Sequence, residues 1–306
     1  MTVKLSLSLV KMKNIPSIIN TCLLSISLIG YSNLSYAEIS VVDDIDHKIT
    51  LKAPAKRIIS LSPGLTELIF SAGGGKYING VVSYSNYPES AKTIPQIGSY
   101  NSIDIEKIVA LNPDLIIAWK SGNPPLQISK LKKLGLNVYT SETRNFDDIP
   151  STILRLGILM GTKDTSHKAA ETFNNKLIEL SKRFPKNNNK KRVFIQIWNQ
   201  PIMSINGEHL ISKIVEHCNG ENIFQDSTQF TLSLDAETII QKNPDVIFAT
   251  REGKLGNTWL SRWKKWEFMN AVKNKQLFTV NPDHVVRHTP RVLDGIEQVC
   301  GYLHSK

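Results

Sequence analysis

The stretch Asp104–Trp119, "DIEKIVALNPDLIIAW", lies without a gap over Asp235–Thr250, "DAETIIQKNPDVIFAT". Asp, Glu, Ile, Asn-Pro-Asp and the apolar run keep their places in both copies. A chain that writes one helix–turn–strand phrase twice is constrained to fold as two lobes of one topology. The turn itself has an ordinary physical reading. Proline stops a helix, and Asn or Asp tolerates the tight backbone that follows. Asn112–Asp114 and Asn243–Asp245 are therefore expected to join a short helix to a buried strand in each lobe.

The surrounding sequence repeats the same grammar. In the first half Arg57–Leu61 reads as a buried strand, and Ser62-Pro63 as a cap followed by proline at the first helical position. The helix "TELIFSAG" ends at Gly73–Gly75. "INGVVSYS" (Ile78–Ser85), Leu115–Trp119 and "LNVYTSE" supply further strands, with "LQISKLKKLG" a helix. In the second half "KRVFIQIW" (Lys191–Trp198), Val246–Thr250 and "LFTVN" (Leu277–Asn281) are strands. "LISKIVEHCNG", closing at Gly220, "WLSRWKKWEFMNAVKNK" and Arg291–His304 are helices. Apolar strands alternating with helices imply parallel sheets covered on both faces. Between the halves Ala169, Phe173, Leu177 and Leu180 recur at helical spacing, with an interruption expected near Gly161-Thr162. The fold expected is α/β: two Rossmann-like lobes, 38–145 and 186–306, joined by a long rigid helical connector at 146–185, with a ligand cleft between the lobes.

The first 37 residues carry Lys4, Lys11 and Lys13, no acid, then an apolar run ending in "SYA" (Ser35–Ala37). This basic–apolar–small order predicts a secretory signal cleaved after Ala37. The apolar run falls short of the roughly 20 residues that span a bilayer. Met12 begins a signal of more ordinary length and is the alternative start. Export gives the two cysteines outside the leader, Cys218 and Cys300, an oxidising compartment, where they are expected to pair; in cytosol they would be free thiols. The formal charge is +10, and removal of the three leader lysines lowers it to +7. The basic residues are dispersed apart from "KNNNKKR" and "RWKK", so a solvated surface is expected rather than a nucleic-acid partner. No Gly-x-Ser-x-Gly, His-Glu-x-x-His or phosphate loop is present, so no enzyme activity is expected.

Four segments carry a resemblance: "RIISLSPGLTEL" (Arg57–Leu68), "VSYSNYP" (Val82–Pro88), "IVALNPDLIIAWKSGN" (Ile108–Asn123) and "CNGENIFQDS" (Cys218–Ser227). Together they resemble the substrate-binding proteins of ABC importers for iron–siderophore, haem and cobalamin uptake, most of all the cobalamin-binding members. "AWKSGN" is the most discriminating segment, because siderophore binders usually lack a Trp followed by a Gly-Asn turn. The resemblance implies a monomeric periplasmic protein with cobalamin as transported ligand rather than cofactor, and the permease of an ABC importer as partner. It implies ligand contacts at Tyr84, Tyr100 (where the family usually has Trp), Trp119, Trp198, Phe230, Asp283 and Arg287. Trp119 and Tyr84 stand at strand carboxyl ends, where α/β sheets bind ligands. Trp198 and Phe230 fit either a core or a cleft position. Trp259, Trp263 and Trp266, at helical spacing, are expected to pack.

Glu106 and Glu237 occupy equivalent places in the two repeats. The resemblance implies that each pairs with arginines of a two-fold permease, which is the preferred reading; a helix N-terminus that favours an acid by about 0.3–1 kcal/mol is the ordinary alternative, and both can hold. The alternative cargo is a ferric siderophore or haem. For these the cleft segments offer Arg287, Arg251 and the pair His284 and His288, which without a carboxylate or Cys partner is a weak metal signal.

Overall fold

The computed structural model describes residues 38–251 and 253–305; the leader, with Met12 and the cleavage point at Ala37, lies outside them. The described chain opens with a hairpin that the sequence reading did not contain, β1 (Ile39–Val42) against β2 (Lys48–Leu51), antiparallel. The first lobe follows. Its sheet consists of β3 (Ile58–Ser60), β4 (Ile78–Val81), β7 (Leu115–Trp119) and β8 (Val138–Ser141), all parallel, in the order β4-β3-β7-β8. A two-residue pair, β5 (Gly98–Ser99) and β6 (Ser102–Ile103), lies in the loop after β4. Its helices are α1 (Pro63–Ser71), α2 (Ile105–Ala110) and α3 (Pro125–Lys133). Ser62 caps α1 by accepting the Leu65 N–H on its Oγ at 3.1 Å, and proline fills the next position, where its missing N–H costs nothing.

The connector is two helices, α4 (Asp148–Met160) and α5 (Lys163–Arg183), interrupted where the sequence suggested. Gly161 breaks them at φ 69°, a left-handed cap that glycine adopts without strain. The second lobe repeats the first. Its sheet is β9 (Lys191–Gln196), β11 (Gly220–Asn222), β13 (Val246–Ala249) and β14 (Leu277–Thr279), parallel, in the order β11-β9-β13-β14. In each lobe the first strand lies between the second and the third, and the fourth forms an edge. A separate antiparallel pair joins β10 (Ile202–Ile205) to β12 (Thr231–Leu234). The helices are α6 (Leu210–His217), α7 (Ala236–Lys242), α8 (Gly253–Ser261), α9 (Asn270–Lys273), α10 (Pro282–Val285) and α11 (Val292–His304).

The recurring Asn-Pro-Asp turn is a bracket as well as a helix stop. Asp114 accepts the backbone N–H groups of Lys56 and Arg57 at 2.9 Å, and Arg57 returns its Nε–H to the Asn112 carbonyl. In the second lobe Asp245 accepts the Arg192 N–H at 2.9 Å and Arg192 donates to the Asn243 carbonyl at 3.2 Å. Asn112 and Asn243 both stand at positive φ, 45° and 39°, which Asn tolerates. Each turn thus ties the start of the third strand to the start of the first.

Two elements differ from the sequence expectation for stated reasons. The run "WLSRWKKWEFMNAVKNK" breaks into the end of α8, a 3₁₀ turn at Arg262–Lys265, and α9. Trp263 and Met269 are both buried, yet six positions apart they leave a straight helix on different faces, so the chain bends to bury both. Helix α6 ends at His217 instead of running to Gly220, because Asn219 turns the chain at φ 64°. Gly220 then opens β11, where a Cβ would lie 2.6 Å from Val215 and 3.1 Å from Val193.

The central strands are buried on both faces, and successive residues face different cores. Ile59, Ile116 and Val138 face an outer core of the first lobe, and Phe194 and Ile247 an outer core of the second. Ile58, Leu115 and Ile117 from one sheet, and Val193, Ile195, Val246 and Phe248 from the other, join Leu156, Leu159, Phe173 and Leu180 of the connector in one shared core. Cys218 at the end of α6 and Cys300 in α11 form a disulfide within the second lobe.

Candidate functional site

A cavity of about 440 Å³ lies between the lobes. Its lining comes from the carboxyl end of β7 (Trp119), the residue closing β8 (Ser141), the start of α1 (Ser62–Leu65), the loops carrying Tyr84 and Tyr100, and, from the second lobe, Arg251 and Val286–His288. Both sheets present carboxyl ends to it, the usual place for a ligand in this architecture.

The aromatic wall is held from behind. Asn123 Oδ1 accepts the Trp119 N–H at 2.6 Å, and its Nδ2 donates to the carbonyls of Leu61 and Tyr100, each at 2.8 Å. One buried amide therefore fastens three segments. Gly122 has a steric reason: a Cβ there would stand 1.8 Å from the Trp119 ring. The Tyr100 and Trp119 rings sit 6.0 Å apart at 48°, a tilted aromatic pair. Tyr84 stands at φ 67° and is 77% exposed, so its ring is offered to the cleft rather than packed.

The polar wall is built around a carboxylate that the sequence reading did not single out. Glu67, on α1 of the first lobe and only 2% exposed, takes Arg287 Nη1 at 3.0 Å and Arg291 Nη2 at 2.6 Å on Oε1. Its Oε2 accepts Arg291 Nε and the Thr289 hydroxyl, both at 2.9 Å. Both arginines and the threonine belong to the second lobe. Arg287 also donates to Asn86 Oδ1 at 2.7 Å and to the Tyr84 carbonyl at 3.2 Å, and pairs with Asp283 at 3.0 Å. Two carboxylates thus face two guanidiniums, and the group carries no formal excess charge. The sequence offered one hint, a lone charged residue between Leu65 and Leu68–Ile69 on α1.

A second crossing lies beside it. The His288 ring faces the Thr143 carbonyl at 3.0 Å through Nδ1, and its Nε2 is buried without a partner among the described residues. His209 lies edge-on to it at 5.4 Å. Burial holds His288 down to about 4, with Arg144 adding, against the Thr143 carbonyl that favours the charged ring. Burial, then His288 and Arg144, hold His209 down to about 3. Both rings are neutral at physiological pH.

Of the residues expected at the cleft, Tyr84, Tyr100, Trp119 and Arg287 come together on the cavity, and Asp283 stands behind Arg287. Phe230 and Trp198 do not line it. Phe230 packs on His209 and under the Arg144 guanidinium at 4.4 Å. Trp198, 53% exposed, pairs with Trp259 at 6.1 Å and donates its Nε1–H to the Gln200 carbonyl. Trp263 is core, its Nε1–H donated to Gln196. His284 lies in α10 and His288 in the loop beyond it, so they do not share a helical turn. Glu106 and Glu237 each follow a capping Asp by two residues, Asp104 and Asp235, and both are exposed, without a salt-bridge partner among the described residues.

Comparison with known proteins agrees with this geometry. Residues 58–284 match the periplasmic binding protein family. The vitamin B12-binding protein of Vibrio cholerae serotype O1 (strain ATCC 39541) is 39% identical over 251 residues, covering 82% of this chain and 90% of that protein. The crystal structure of the periplasmic vitamin B12 binding protein of Vibrio cholerae superposes with a TM-score of 0.77 at 37% identity, over 82% of this chain and 97% of that one. A periplasmic heme-binding protein from Roseiflexus sp. RS-1, at 21% identity and a TM-score of 0.71 over 82% of this chain and 98% of that one, shares the fold. Two parallel-sheet lobes, a cleft at their strand ends and a match over most of the chain place this protein among binding proteins rather than enzymes: it belongs to the periplasmic binding protein family.

Proposed function

We propose that this chain is exported, loses its leader after Ala37, captures cobalamin in the cleft and delivers it to the permease of an ABC importer. The observation that carries the reading is the combination of an aromatic wall, Tyr84, Tyr100 and Trp119, with an arginine, Arg287, whose charge is already compensated. Cobalamin presents a broad apolar face and a rim of amides. Aromatic area serves the face, at about 0.5–1.5 kcal/mol per well-placed pair beyond burial. Compensated polar groups serve the rim without favouring polyanions. A ferric siderophore, commonly anionic, gains little from Arg287 and Arg291, whose charges Glu67 and Asp283 neutralise, which leaves Arg251 as the cationic lining residue outside that group. Trp198 and Phe230 belong to this reading as outer contacts of a ligand larger than the cavity. Glu106 and Glu237 are proposed as the two docking charges, one on each lobe.

The test is calorimetric titration of the purified protein with cyanocobalamin, haemin and a ferric hydroxamate. Saturable one-to-one binding of cyanocobalamin, weakened about ten-fold or more by Trp119→Ala, is the expected result. Uptake of haemin or the hydroxamate in its place would overturn the ligand and leave the binding role.

A further inference from the structure

Arg287 touches the cavity, the first lobe's Tyr84 loop and the buried carboxylate together. Both hydrogens of Nη1 are engaged, by Glu67 and Asn86, and Nη2 serves the Tyr84 carbonyl and Asp283. A ligand amide that takes a hydrogen bond from Nη1 or Nη2 must displace one of these partners. Asn86, Tyr84 and Asp283 sit at the exposed margin of the group, whereas Glu67 is sealed inside it.

Glu67 has no freedom to follow a moving guanidinium. Its two oxygens take four donors at 2.6–3.0 Å: from Arg287, from Arg291 twice, and from Thr289. Gly64, one turn earlier on α1, brings the helix within van der Waals reach of Thr289 and the Arg287 backbone, 3.5 and 3.9 Å from where a Cβ would lie. A carboxylate so buried is tolerable only while its cations stay, because an unpaired buried charge is strongly unfavourable.

We propose that Glu67 is a positioning residue for ligand capture: it fixes the Arg287 guanidinium at the cavity rim, so that the ligand finds a donor already oriented and exchanges only the outer partners. The proposal rests on the reading of the cleft as the ligand site. Glu67 itself touches no ligand, and its effect on affinity runs through Arg287.

The experiment is a double-mutant cycle of Glu67→Gln and Arg287→Ala, read as the Kd for cyanocobalamin, or for haemin if haemin is what saturates the wild type. Glu67→Gln alone is expected to weaken binding by about ten-fold, and to add less than two-fold in the Arg287→Ala background, a coupling of the size that residues in contact show. Thr289→Val removes one neutral donor, keeps every charge, and serves if Glu67→Gln does not fold. It is expected to weaken binding about three-fold, again only while Arg287 is present. Equal losses in both backgrounds would mean that Glu67 only supports the fold, and the proposal would be wrong. An unchanged Kd in Glu67→Gln would overturn it as well. A wild type that binds neither probe would overturn the cleft reading together with the positioning role.

Discussion

At the residue scale the cleft shows how much chemistry can rest on side chains that a ligand never meets. Asn123, Gly122 and Glu67 shape the wall that Trp119, Tyr100 and Arg287 present. Trp119 and Tyr84 were legible in the sequence as aromatics at strand ends and Tyr100 through the family resemblance alone, whereas Trp198, also just past a strand, lies off the cavity. Glu67 was not legible, because its partners lie more than 200 positions away and only folding brings them together. The two imidazoles at the lobe crossing carry a prediction of their own. His209 and His288 stay neutral in the fold down to about 3 and about 4, while in the unfolded chain they protonate near 6.5. The unfolded chain therefore binds more protons over that interval, and folding stability falls as pH drops through 6.5 toward 4. The slope is up to about 1.4 kcal/mol per pH unit for each ring. Urea midpoints measured from pH 8 to pH 4.5 should show the decline, and His209→Asn, which can still accept the Ile211 N–H, should flatten it. His217, also held down by burial and beside Lys186, adds to the same slope. A decline unaltered in the variant would remove His209 from the account.

At the scale of elements, the repeated phrase turned out to encode more than a helix stop. Pro113 and Pro244 could be read as breakers from sequence, and the strands after them as buried runs. The bracket that Asp114 and Asp245 make to the first strand of each sheet could not, since the contact spans more than 50 positions. Strand order is likewise invisible in hydrophobic pattern alone. The hairpin at the start, the β5/β6 pair and the β10/β12 ribbon escaped notice because, unlike the equally short β3 and β14, they belong to no alternating strand–helix unit, and two to four residues give too few alternations to register alone. The bracket predicts a matched pair of effects. Asp114→Ala and Asp245→Ala should each lower unfolding free energy by about 1–3 kcal/mol, from backbone donors left without their acceptor. Ligand affinity should change by less than two-fold, because both turns stand at strand starts and the cavity at strand ends. Chemical denaturation with parallel calorimetry checks both parts. A variant with normal stability and poor binding would contradict the assignment.

At the scale of the whole molecule, duplication sets the charges outside as well as the strands inside. Glu106 and Glu237 stand on the same turn of the same helix in each lobe, and a two-fold partner needs matched charges on both. Glu106→Arg and Glu237→Arg, singly and together, are expected to leave the Kd for cyanocobalamin within two-fold and to reduce uptake by membrane vesicles bearing the importer, the double variant most. Wild-type uptake by the double variant would reduce these residues to favourable helix ends. The 21-residue connector helix, about 30 Å long, crosses behind both lobes, and its inner residues are part of the same interior as both sheets. Two lobes that share an interior are expected to unfold together, so that packing lost in either is felt in both as a smaller population of intact receptors.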